Sequence, residues 1–224
     1  LDDYIKVARH RSLGLTPIQK IIGQLGLAIV VALFAATRNE IGTALYIPFC
    51  GYVDFGWFYY PLAVLVMIFG VNAVNLTDGI DGLAGSVTFI VSVTFVVICG
   101  ILNLVGMSIF AAALAGGLLG FLIYNFHPAK VFMGDTGSMF LGGAVIALAV
   151  GTARPFLFFI VGIIYIVEAL SVVLQVISFK TTGKRIFKMS PIHHHFEMSG
   201  WSEGKIVGVF SVITLLFCIL GIAW

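Results

Sequence analysis

Seven apolar runs dominate the chain, at about 18–36, 60–76, 83–102, 106–125, 138–153, 155–178 and 205–224. A helix needs about 20 mainly apolar residues to cross the hydrocarbon layer, and each run meets or approaches that length. The runs are apolar on every face rather than alternating, so they predict membrane helices and exclude barrel strands. Composition agrees: 60% of the 224 residues are hydrophobic and 10% charged, against roughly 25% charged in a soluble domain. The expected fold is all-α, a polytopic transmembrane helix bundle of about seven spans. With no Ser/Pro linker, low-complexity tract or repeat, residues 1–224 read as a single integral membrane domain. The opening Leu1-Asp2-Asp3 carries the expectation that this is the C-terminal part of a longer protein. Cys50, Cys99 and Cys218 are scattered and form no metal-ligand spacing. Gly116 and Gly120 make a GxxxG pattern whose usual meaning is close helix packing.

Seven crossings sort the connecting segments into two sets. Residues 1–17, 77–82, 126–137 and 179–204, with the adjoining helix ends, hold ten of the twelve Lys and Arg residues. The opposite set, 37–59, 103–105 and around 154, holds only Arg38 and Arg154. Basic loops stay in the cytoplasm, so the first set is expected there.

The same sorting collects the chemistry-bearing residues on that face. They are Asp2-Asp3; the run Asn75-Leu76-Thr77-Asp78-Gly79-Ile80-Asp81-Gly82; Asn125 and His127 with Phe132-Met133-Gly134-Asp135-Thr136-Gly137; and Pro191-Ile192-His193-His194-His195-Phe196-Glu197. Each has a bland alternative. Adjacent carboxylates are usually a solvated pair, yet held close they can share a proton or a divalent metal. The Asp78–Gly82 run could be a plain turn, but its glycines also let backbone approach a ligand. Gly134-Asp135-Thr136-Gly137 precedes an apolar run, where Asp, Thr or Ser138 could simply cap a helix. It could equally hold Mg²⁺ beside helix-terminal N–H groups that receive phosphate. Lys6, Arg9 and Arg11 suit a positive-inside anchor, and Lys180–Lys188 an attraction to anionic headgroups. Three successive histidines cannot all face one metal, so one or two are expected to meet phosphate or substrate. Glu168 differs from all of these, lying mid-span, with Ser171 and Gln175 on the same stripe. Carboxylates for a metal, cations for phosphate and an aromatic for a base are what phosphoryl transfer asks of a protein. No G-x-x-x-x-G-K-[ST] run points to nucleotide hydrolysis.

In order and in wording, the four motifs resemble the polyprenyl-phosphate N-acetylhexosamine-1-phosphate transferases. They are Leu1-Asp2-Asp3-Tyr4, Asn72 to Ala84, Val131 to Ser138, and Pro191 to Glu197. The histidine block followed by Gly200-Trp201-Ser202-Glu203 resembles the bacterial branch that uses UDP-N-acetylmuramoyl-pentapeptide. The resemblance implies ten membrane helices in the whole protein, a homodimer in the bacterial inner membrane, and a cytoplasmic active site. It implies Mg²⁺ as cofactor, undecaprenyl phosphate as lipid acceptor, and no nucleic-acid partner. By motif position it makes Asp135 the metal ligand, Asp2 a base on the lipid phosphate and Asp3 a supporting carboxylate. His194 would join the catalytic group, while Lys20, His193 and His195 would line the phosphate region. Asn72, Asn75, Leu76, Asp78, Gly79, Asp81, Asn125 and Phe132 would form the nucleotide pocket, with Phe132 stacking on uracil. Two other readings are weighed. A sister transferase using UDP-N-acetylglucosamine should lack the histidine block. An ion-coupled transporter would centre on Glu168, near the membrane midplane.

Overall fold

The computed structural model describes residues 16–38, 42–47 and 50–223. Its elements run α1 (Pro17–Arg38), β1 (Ala44–Ile47), β2 (Gly51–Asp54), a 3₁₀ turn (Gly56–Phe58), α2 (Tyr59–Thr77), α3 (Leu83–Ile101), α4 (Val105–Asn125), α5 (Gly134–Gly151), α6 (Leu157–Val161), α7 (Ile163–Thr182), α8 (Ile192–Glu197) and α9 (Glu203–Ala223). Among the described residues, seven helices are long and apolar enough to cross a membrane. The chain is thus an all-α polytopic bundle, with one small hairpin added.

α3 is the axis of the bundle. It packs along α4 and α9, while α2 packs along α5 and α7, and α1 lies chiefly on α2. Phe95, Val87 and Val91 of α3 meet Leu148, Phe158, Tyr165 and Ile206 in the core. Three buried hydroxyls of α3 are satisfied within their own helix: Thr88 donates to Ala84 O, Ser92 to Thr88 O and Thr94 to Ile90 O. That local bonding is what lets polar side chains sit in a lipid-embedded helix. Outward, Leu27, Phe34, Ile123 and Leu216 are exposed, as expected where the surrounding solvent is hydrocarbon rather than water.

Local sequence explains the helix starts. Thr16 and Gln19 exchange reciprocal bonds (Thr16 N–H to Gln19 Oε1, Gln19 N–H to Thr16 Oγ1), a capping box with Pro17 in the first turn. α5 begins four residues earlier than the apolar run predicts, at Gly134, whose φ is +60°. Neither Asp135 nor Ser138 caps it, since the N-cap position falls on Met133. Asp135 instead sits in the first turn, favourably placed against the helix dipole.

The run 155–178 is expected as one span but breaks at Gly162 into α6 and α7. A Cβ at Gly162 would stand 2.6 Å from the Phe158 carbonyl oxygen, and Phe158 and Tyr165 stack across the break with ring centroids 6.3 Å apart. Apolar residues on both sides hide this interruption from a hydropathy reading. At the end of the bundle away from the motifs, β1 and β2 pair antiparallel, Tyr46 opposite Tyr52. Arg154 lies over the Tyr46 ring at 4.6 Å and pins the hairpin to the α5–α6 connection.

Candidate functional site

Three helices meet at the motif-bearing end. From the first turns of α1, Lys20 Nζ donates to Asp135 Oδ2 at 2.5 Å. One turn further on, Gln24 Oε1 accepts from Asn72 Nδ2 of α2 at 2.8 Å. Ser138 Oγ of α5 donates to Asn75 Oδ1 of α2 at 2.5 Å. Asp78, just past α2, lies close enough to feel Asp135. Burial first, and the Asp135 charge second, push its carboxyl up to about 6. Two carboxylates that repel each other beside one lysine form a place where a divalent cation and phosphate oxygens are both welcome.

A second cluster joins the Asp78–Gly82 turn to the α4–α5 loop and to the start of α9. Asp81 Oδ2 accepts from Ala129 N–H at 2.9 Å and lies 3.2 Å from His127 Nδ1. Glu203 Oε2 accepts from Asp81 N–H at 3.0 Å, and its Oε1 lies 3.4 Å from His127 Nδ1. One ligand atom from each of Asp81, His127 and Glu203 lies within 4.8 Å of the others, so these three could also hold a metal. Asn125 is buried and works as a strut, its Oδ1 accepting from Gly82 N–H and its Nδ2 donating to Val131 O. Phe132, by contrast, is 72% exposed beside this loop.

The histidine block forms α8, and its three rings have three different settings. His193 is fully buried, with Nδ1 3.0 Å from Glu168 Oε2 of α7. Its Nε2 side abuts Gly79, where a Cβ would come within 2.2 Å of that nitrogen. His194 lies against His193, ring centroids 4.2 Å apart and planes tilted by 56°, and pairs with Glu197 at 2.8 Å. His195 Nδ1 accepts from Lys188 N–H at 3.1 Å. Gln175 fastens the preceding loop to α7, its Oε1 accepting from Ile186 and Phe187 N–H and its Nε2 donating to Phe187 O.

The fold therefore gathers Lys20, Asn75, Asp78 and Asp135 in one cluster, and Gly79, His193 and Glu168 beside it. Asn72, Asn125 and His193 spend their polar atoms or their bulk inside the protein and so shape the site from behind. Leu76 packs against the core. Asp2 and Asp3 lie outside the described residues, as do Lys6, Arg9 and Arg11. Among residues that sequence reasoning left out of the site, Gln24 and Ser138 tie the helices together. Gln24 gives no signal in the sequence beyond being polar within an apolar helix, one turn from Lys20.

This fold and site define a class: a multi-pass helical membrane protein with carboxylates, a lysine and histidines gathered at one end of the bundle. Residues 1–153 match the family model described as Glycosyl transferase family 4, and the chain belongs to that family. Three relatives carry the name phospho-N-acetylmuramoyl-pentapeptide-transferase. The one from Halalkalibacterium halodurans is 50% identical over 99% of this chain and 68% of its own length. The one from Pelotomaculum thermopropionicum is 51% identical over 100% of this chain and 71% of its own. The one from Caldicellulosiruptor bescii is 48% identical over 100% and 69%.

Proposed function

We propose that the chain moves phospho-N-acetylmuramoyl-pentapeptide from its UDP carrier to undecaprenyl phosphate, forming lipid I and releasing UMP. The observation that carries this reading is identity of about half across essentially the whole chain to transferases named for that group. The site's chemistry supports it. A bundle end that gathers charge at a membrane surface suits one water-soluble and one lipid-borne substrate. The reading includes a cytoplasmic site in the bacterial inner membrane and a homodimer.

Mg²⁺ fits the residues present, because the mutual repulsion of Asp78 and Asp135 is what a cation relieves. We assign it to Asp135, with Asp78 alongside, rather than to Asp81, His127 and Glu203. Asp81 Oδ2 and Glu203 Oε2 already accept backbone N–H groups. Bound there, the ion would neutralise diphosphate charge during transfer. Lys20 holds the Asp135 carboxylate and supplies positive charge for phosphate. Asp78, Gly79 and Phe132 border the nucleotide, with Phe132 offering an exposed ring to the base. Asp2 would accept the proton of the lipid phosphate, whose oxygen attacks the β-phosphorus as UMP leaves, and Asp3 would support it. His194 and His195 would flank the phosphates.

The test uses the full-length protein in detergent with undecaprenyl phosphate and Mg²⁺. UMP release is compared between UDP-N-acetylmuramoyl-pentapeptide and UDP-N-acetylglucosamine. Lipid-dependent release from the muramoyl substrate alone is expected, reduced about 100-fold or more in Asp135→Ala. Release from the other sugar nucleotide instead would move the chain to a sister activity.

A further inference from the structure

We infer that Glu168 is a positioning residue of the nucleotide pocket, acting through His193 on the Asp78–Gly79 turn; the pocket itself rests on the function proposed above. Glu168 lies within the α7 span and His193 on the loop helix α8, and both side chains are 0% exposed. Among the described residues none makes an aligned hydrogen bond to either Glu168 oxygen or either His193 ring nitrogen. What these groups have is each other, at 3.0 Å. Two polar groups buried together are no cheaper than two apolar ones of the same size. The pair therefore earns its place by fixing something, and the geometry says what. His193 is the member of the histidine block that reaches the membrane-embedded core, and Glu168 holds its Nδ1 side. The opposite side of the ring then abuts Gly79, which has no side chain to obstruct it. Gly79 adjoins Asp78, the carboxyl that senses Asp135. An anchor deep in α7 thus sets the height of the turn that borders the nucleotide. It leaves His194 and His195 as the histidines that face the substrates.

The experiment measures KM for both substrates, thermal stability and side-chain ¹⁵N spectra of histidine-labelled full-length enzyme, comparing Glu168→Leu, Glu168→Gln and His193→Gln. Glu168→Leu should raise KM for the UDP substrate about tenfold or more while moving KM for the lipid phosphate less than about twofold. Glu168→Gln keeps an acceptor for Nδ1–H and should restore most of that loss. The double variant Glu168→Leu/His193→Gln should be no worse than His193→Gln, because the two act as one unit. In the spectra, one ring locked as the Nδ1–H form should lose that signature in Glu168→Leu. An unchanged nucleotide KM, an equal loss for both substrates with reduced thermal stability, or additive effects would each overturn the inference. If the unaltered enzyme releases no UMP from either sugar nucleotide, the proposed reaction fails, and the ¹⁵N spectra still decide whether Glu168 holds His193.

Discussion

At the scale of single residues, the electrostatics of the site turn on Asp78. Its carboxyl stands at about 6 against an ordinary 3.8, through burial and then through Asp135. A carboxyl raised by folding is bound to its proton more tightly in the native state than in the unfolded chain. Its contribution to stability is therefore full below pH 3.8 and is lost as pH rises through about 6. Function runs the other way. Above about 6 the site carries both negative charges, and a divalent cation gains from both. Mg²⁺ affinity should rise several-fold between about pH 5 and about pH 7.5, and Asp78→Asn should flatten that rise. The same variant should unfold at a higher temperature than the natural protein at about pH 8 and show no such gain near pH 4. Titrating Mg²⁺ against enzyme fluorescence at several pH values checks the first, and thermal unfolding in detergent the second. A pH-independent affinity in the natural protein would remove Asp78 from the cation's surroundings.

At the scale of elements, the site depends on how closely α2 and α5 approach, because one brings Asn75 and Asp78 and the other Asp135. Gly142 permits that approach. A Cβ there would lie 2.7 Å from the Val71 Cα and 2.9 Å from its carbonyl oxygen, and backbone cannot swing aside as a side chain can. Gly142→Ala should cost about 1–3 kcal/mol and lower kcat/KM about tenfold or more, as the helices part at the site. The neighbouring Gly143 meets nothing within 4 Å, so Gly143→Ala should be tolerated within about 0.5 kcal/mol. Comparing unfolding temperature and UMP release for the two variants separates a packing requirement from a general dislike of alanine. This scale also shows what a sequence can convey. The seven spans were legible because length and hydropathy decide them locally. So was the presence of Lys20, Asp78 and Asp135 at one end, because each crossing switches sides and alternate loops therefore share a face. The burial of His193 was not legible: three adjacent histidines look alike until tertiary packing turns one inward against Glu168, 25 residues earlier in the chain. Nor was the break at Gly162, across which Phe158 and Tyr165 stack. The hairpin at Ala44–Ile47 and Gly51–Asp54 was likewise hidden, its strands being four residues each and its pairing partly held by Arg154 from another part of the chain.

At the scale of the whole molecule, the two ends of the bundle differ in kind. Among the described residues, one carries most of the carboxylates, the histidines and most of the basic side chains. The other carries the hairpin, Arg154 and an aromatic group in which Trp57 and Tyr60 meet at 5.6 Å between ring centroids. Trp and Tyr favour the headgroup level of a bilayer, which fits a hairpin resting at the surface where α2 begins. The excess of basic residues supports the proposed orientation, with the site end in the cytoplasm and the hairpin outside. The three cysteines make this orientation measurable. Cys50, at the hairpin turn, is exposed, while Cys99 and Cys218 are buried within spans. A membrane-impermeant maleimide added to spheroplasts should therefore label the natural protein at Cys50 alone among these three. With Cys50 changed to Ser, labelling at these sites should vanish. Cysteine placed at Met198, 58% exposed beside the histidine helix, should then react only in inverted vesicles or after permeabilisation. The opposite pattern, Met198→Cys labelled from outside and Cys50 from inside, would reverse the orientation. It would also put the site on the face where a cytoplasmic sugar nucleotide cannot reach it, so the proposed reaction would fall together with the topology.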